Sequence, residues 1–129
     1  MTPAPAAASA TSSAADRRRV LTSATLKAAD LLDIPQSVLA RLLGVSAPQV
    51  SRMRQGSYVL DEGRKEWELA ALFLRLYRSL DSIAANDEAR AWLDSRNHGL
   101  NGEKPLTLIT SAAGLVRVVD YLDAARARA

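Results

Sequence analysis

Two short apolar-patterned stretches, joined through Gly44-Val45-Ser46, constrain this chain more than any other feature. Residues 36–43 set Val38, Leu39, Leu42 and Leu43 at the spacing of a helix with one buried side. Asp33 is expected to cap this helix, with Pro35 in the first turn, where its missing N–H is not needed, and Gln36 completing a capping box. Gly44 then ends the helix, because glycine accepts the left-handed backbone that terminates a helix and turns the chain. Ser46 is the expected cap of a third helix, with Pro48 in its first turn and Gln49 at its third position. That helix closes near Gln55, with Gly56 as terminator. Helices crossing steeply over so short a turn must approach closely. Ala40 offers the small side chain at the crossing, and Val45, Val50 and Met53 fill the angle. The pattern predicts a helix-turn-helix over residues 36–55 and, with it, binding to double-stranded DNA. A helical hairpin unrelated to DNA shares part of this pattern.

In a helix-turn-helix the second helix lies in the major groove with its N-terminal residues at base edges. Gln49 is the strongest base reader, since its amide can pair bidentately with adenine. Ser46, Ala47, Ser51 and Arg52 come next, Ala47 being suited to a thymine methyl. Arg54 is expected on phosphate, and Gln36 or Ser37 on the DNA backbone at the positive end of the first of the two helices. A solvated surface role is the competing reading for each of these polar side chains.

The remainder reads as helical throughout, so the fold class is all-α. Residues 1–15 are almost entirely Ala, Ser, Thr and Pro and show no face to bury. Residues 1–19 are therefore expected to be a disordered tail, ending in the basic run Arg17, Arg18, Arg19, either a phosphate-touching arm or a solvated charge run. Residues 20–60 form the DNA-binding unit, opened by a helix with Leu26, Ala29 and Leu32 inward. Residues 61–85 form a long helix with a heptad-like stripe of Leu69, Phe73, Leu76, Leu80 and Ile83, a second stripe of Trp67, Ala70, Leu74 and Tyr77, and a polar strip including Glu66 and Glu68. A helix so widely apolar needs cover from more than one direction. The first stripe is thus read as a homodimer interface, with an intramolecular core as the equal alternative. Residues 86–129 make the last unit: a short helix capped by Asn86 that buries Ala89, Trp92 and Leu93, a loop over 97–105, a turn at 106–109, and a helix capped by Thr110 with Leu115, Val118, Val119 and Leu122 inward.

Several classes of function are excluded by residue type. The 129 residues contain no cysteine and one histidine, His98, which removes disulfides, thiolate chemistry and paired-histidine metal sites. No nucleophile turn and no phosphate-cradling glycine loop occurs, so no enzyme activity and no cofactor is expected. No apolar run reaches the roughly 20 residues of a membrane span, and a cytoplasmic location is expected. A net charge of +3 gives only mild support for a nucleic-acid partner.

The C-terminal half carries a series of spaced elements: Glu88-Ala89-Arg90-Ala91-Trp92-Leu93, then Asn97 and Leu100, then Gly102 with Pro105-Leu106, Thr110, Gly114 and residues 118–122. With the helix-turn-helix before them, they make the chain from about residue 21 onward resemble antitoxins of the Xre/MbcA/ParS type. It departs from that pattern just before Asn97, where the family often has a proline and this chain reads Ser95-Arg96. The resemblance implies a type II toxin–antitoxin system with a RES-domain toxin that uses NAD. It implies that the C-terminal region covers the toxin's active-site entrance while the DNA-binding part autorepresses the operon, the antitoxin itself binding no NAD. Carried onto this sequence, the toxin-facing residues are Arg96, Asn97, His98 and Lys104 with Arg117, Asp120, Tyr121, Arg126 and Arg128 on the last helix. Trp92 is read as core, and Tyr121 as either core or interface. Two other readings stand beside this one: a stand-alone dimeric helix-turn-helix repressor, and an antitoxin whose helix-turn-helix no longer grips DNA.

Overall fold

The computed structural model describes the backbone of residues 6–128 and the side chains of residues 13–128. The elements run α1 (Ala6–Leu31), α2 (Gln36–Leu43), α3 (Ala47–Gln55), α4 (Lys65–Asp81), α5 (Asn86–Leu93), a 3-10 turn at His98–Leu100, α6 (Pro105–Leu108) and α7 (Ala112–Arg128). Apart from one isolated bridge between Asn97 and Glu103, the described residues form no strand, and the fold is all-α.

Helix α1 departs from the expected tail. Residues 1–5 lie outside the described residues, but the helix begins at Ala6 and carries the basic run within it. Alanine is the strongest helix former, and tertiary contacts hold the part that follows. Arg18 Nε donates to the Leu60 carbonyl at 2.9 Å, and Thr22 Oγ1 accepts from the Leu60 N–H at 2.9 Å. Both backbone polar groups of one residue after α3 are thereby satisfied by α1, and Leu60 is fully buried. Arg17 pairs with Glu62, and Arg19 with Asp16 one turn before it. The basic run is used inside the fold.

Asp33 ends α1 instead of capping α2. Its φ of 53° puts it in the left-handed region, and the Ile34 N–H closes onto the Ala29 carbonyl at 2.8 Å. Pro35 stands at the N-cap of α2 and makes no side-chain cap bond. The next signals hold as expected. Gly44 is left-handed at φ 71°, Ser46 Oγ accepts from the Gln49 N–H at 3.2 Å, and Gly56 closes α3 at φ 80°. Farther on, Ala85 stands at the N-cap of α5 in place of Asn86. Ser111, not Thr110, bonds the first turn of α7, accepting from the Gly114 N–H at 3.1 Å, while the Thr110 hydroxyl turns back to the Thr107 carbonyl.

Helix α4 is the centre of the molecule, packed against α7, α1 and α2. Phe73, Leu76 and Leu80 are 0–1% exposed within the single chain, Leu69 is half-buried, and Ile83 lies beyond the end of α4 with 42% exposure. Three of the five residues expected to dimerise, Phe73, Leu76 and Leu80, therefore belong to this chain's own core. Leu115, Val118, Val119 and Leu122 of α7 supply their cover, as in the intramolecular alternative. Glu66, expected on the polar strip, is 5% exposed.

Candidate DNA-reading face and C-terminal surface

The crossing of α2 and α3 is built as the spacing predicts. Ala40, Val50 and Met53 are buried and Val45 is half-buried, so α3 is wedged on its inner side. Ser46, Ala47 and Arg52 are exposed, and Gln49 is half-buried. Arg52 donates to Gln49 Oε1 at 2.9 Å, an i, i+3 contact that orders the amide on the helix surface. Gln36 Nε2 donates to Ser51 Oγ at 2.9 Å and approaches the Ala47 carbonyl at 3.4 Å, tying the start of α2 to α3. Ser37 is exposed beside it. Arg54, expected on phosphate, points instead to Asp30 at the end of α1, with both terminal nitrogens at 3.2 and 3.0 Å from the carboxylate.

Behind this face lies a group that the sequence did not flag. Glu66 accepts from the Tyr58 hydroxyl and from the Asp61 N–H at 3.0 Å, and Arg64 Nε lies 3.6 Å from its other oxygen. A buried carboxylate needs such partners. Burial, then the Glu66 hydrogen bond, raise the Tyr58 pKa above its ordinary value, against smaller opposing pulls from Gln49 and Arg64. Nothing in the local pattern separates Glu66 from its exposed neighbour Glu68. Only the loop that folds over α4 does so.

The C-terminal unit places its loop by backbone bonds. The Asn97 N–H meets the Glu103 carbonyl at 3.0 Å, the Asn97 carbonyl accepts from the Gly102 N–H at 2.9 Å, and Asn97 Oδ1 accepts from the Gly99 N–H at 2.8 Å. Asn97 is thus the organiser of the loop. Arg96 donates to the Gly102 carbonyl at 3.2 Å, and Lys104 pairs with Asp94 at 3.4 Å. His98 is exposed on this loop, and Arg117, Asp120, Arg126 and Arg128 are exposed on α7. Tyr121 stacks on Trp92 with ring centroids 6.1 Å apart, and both are half-buried, so Trp92 is less enclosed than expected. Gly99 makes room for this pair: a Cβ there would lie 2.5 Å from the Tyr121 ring. Asp123 of α7 accepts from Ser79 at 3.0 Å and pairs with Arg75, locking α7 to α4. The two halves also meet through Arg90 of α5, which donates to the Leu31 carbonyl at 2.9 Å and pairs with Asp33 at 3.4 Å. This fills one of the carbonyls that every helix end leaves open.

Among the described residues no cluster of three His, Asp or Glu is placed to hold a metal ion, and no helix is long and apolar enough to cross a membrane. Residues 12–75 match the antitoxin Xre-like helix-turn-helix domain, and residues 79–128 match the antitoxin Xre/MbcA/ParS C-terminal toxin-binding domain. Comparison with curated protein sequences returns no match. Among solved structures, a chain of the crystal structure of the M. tuberculosis MbcT–MbcA toxin–antitoxin complex shares the fold, with a TM-score of 0.63 and 24% identity over 81% of this chain and 92% of that one. The helix-turn-helix match extends into α4, as far as residue 75. The chain belongs to the Xre/MbcA/ParS antitoxin family, as a DNA-binding antitoxin, not an enzyme, that joins a helix-turn-helix to a C-terminal toxin-binding domain.

Proposed function

We propose that this antitoxin neutralises a RES-domain, NAD-using toxin by covering its active-site entrance, and that it autorepresses the shared operon by binding operator DNA. The observation that carries the reading is the joining, in one chain, of an exposed α3 start to a matched toxin-binding domain. On the DNA side, Gln49 reads a base edge with Ser46, Ala47, Ser51 and Arg52 around it, while Gln36 and Ser37 meet the backbone. Arg54 joins them only after exchanging Asp30 for a phosphate. On the toxin side, the contact surface is the loop of Arg96, Asn97, His98 and Lys104 with Arg117, Asp120, Tyr121, Arg126 and Arg128 of α7. Arginines suit a cleft built for a dinucleotide, because the guanidinium fork matches carboxylates and phosphates. A homodimer on a two-fold operator completes the reading, with its interface elsewhere than the buried α4 stripe.

Co-expression with a RES-domain toxin encoded beside this gene tests the proposal. Growth and cellular NAD are expected to recover when the antitoxin is present and to fall when it is absent. A gel shift with the gene's own upstream duplex tests the second half. Recovery without any shift would remove autorepression and leave neutralisation standing.

A further inference from the structure

Between the start of α3 and the start of α4 lies a cleft of about 310 Å³ lined by Gly44, Val45, Ser46, Gln49, Arg64 and Glu66. Ser46 and Gln49 come from the start of α3, and Arg64 stands at the N-cap of α4. The Arg64 side chain is 70% exposed, with Nε 3.6 Å from Glu66 Oε1. Among the described residues its two terminal nitrogens make no hydrogen bond. Glu66 cannot turn away from this contact, because it is buried and its other oxygen is engaged by Tyr58 and by the Asp61 N–H. An arginine ion-paired at its Nε edge with a fixed carboxylate leaves its terminal fork available for a second anion, and that fork fits phosphate bidentately. Lys65 adds a second cation where an adjoining cleft shares Gly44, Arg64 and Glu66. Among the described residues Glu66 is the single acid lining either cleft, and it is already engaged by Tyr58 and the Asp61 N–H.

We propose that Arg64 binds a backbone phosphate of duplex DNA, next to the base pairs met by Ser46 and Gln49, with Glu66 as the residue that positions it. The inference rests on α3 being the reading helix. Arg64 carries no base information in this role, so it contributes to affinity and to salt dependence equally for every sequence.

Full-length chain titrated with the upstream duplex, with single-base variants of it and with a scrambled duplex, across salt concentrations, tests this. Arg64→Ala is expected to weaken binding about tenfold on every duplex and to reduce the salt slope by about 1. Arg64→Lys should restore the slope but only part of the affinity, because an ammonium is a point charge without a fork. Melting temperature is expected to stay at the wild-type value. Should Arg64→Ala melt early, Arg64→Gln, which keeps the stem and a polar head, carries the same expectation. Wild-type affinity and slope in these variants, or a loss confined to one base position, overturns the assignment. A wild-type chain that binds no duplex even at about 50 mM salt overturns the α3 reading together with it.

Discussion

Arg54, in the last turn of α3, grips Asp30 near the end of α1 with both terminal guanidinium nitrogens, at 3.2 and 3.0 Å. The pair anchors α3 to α1 across 24 residues of sequence. Asp30 is 60% exposed at its side chain, so after solvent screening the pair is worth no more than about 1 kcal/mol of stability. Its larger consequence is electrostatic, because it neutralises a cation that could otherwise meet DNA.

Asp30→Asn is therefore expected to lower the melting temperature only slightly and to tighten binding to any duplex by a few fold, with the salt slope steeper by about 1. Fluorescence anisotropy over a salt series measures this. Equal slopes in wild type and variant would mean that Arg54 only braces the fold.

Gly114 sits in the first turn of α7, where a Cβ would come within 1.8 Å of the Leu108 carbonyl oxygen. In an open helix, replacing glycine by alanine stabilises by about 1 kcal/mol. Here the sign reverses, since α6 and α7 would have to separate, at a cost of about 1–3 kcal/mol. Chemical denaturation of Gly114→Ala decides between these opposite signs.

Tyr58 has its pKa raised by burial first and by the Glu66 hydrogen bond second. An acid whose pKa is higher folded than unfolded favours the folded state at all pH values below the unfolded pKa. That contribution disappears as pH climbs from about 10 through the raised value. Tyr58→Phe should flatten this part of the alkaline stability curve. It also leaves the buried Glu66 short of one donor, and is expected to cost about 1–3 kcal/mol at neutral pH. Urea melts at pH 8 and above provide the comparison, and an equally steep alkaline loss in the variant would falsify the linkage.

Truncation after Ala125 removes Arg126 and Arg128 but spares Leu122, which is 1% exposed, and Asp123, which bonds Ser79. The melting temperature is expected to stay within a few degrees of wild type, while toxin affinity falls about tenfold or more. A cut before Leu122 would instead strip α7 from α4 and unfold the toxin-binding domain. Calorimetry with purified toxin reads both variants. Unaltered affinity in the shorter-by-four chain moves the interface away from the end of α7.

What could be read from the residues alone was whatever is settled within a few positions along the chain. Gly44 and Gly56 terminate helices because a missing Cβ lets the backbone turn left-handed, and Ser46 caps because its oxygen reaches an amide three residues on. The inward face of α7 was legible for the same reason, since its repeat lies inside one helix. Capping by Asp33, Asn86 and Thr110 was misplaced by one or two residues: Pro35 and Ala85 hold the N-cap positions without a side-chain bond, and Ser111 takes the place of Thr110.

Tertiary structure decided which surfaces meet between segments far apart in the chain. The Phe73, Leu76 and Leu80 stripe looks identical in sequence whether a second copy or α7 covers it, and α7 covers it. Burial of Glu66, the use of Arg18 on a peptide 42 residues away and the pairing of Arg54 with Asp30 follow from where distant segments are brought together. Helix formation and termination are fixed by short-range sterics and hydrogen bonds, and so are written locally. Burial and charge pairing depend on the packed neighbours, and those exist only once the chain has folded.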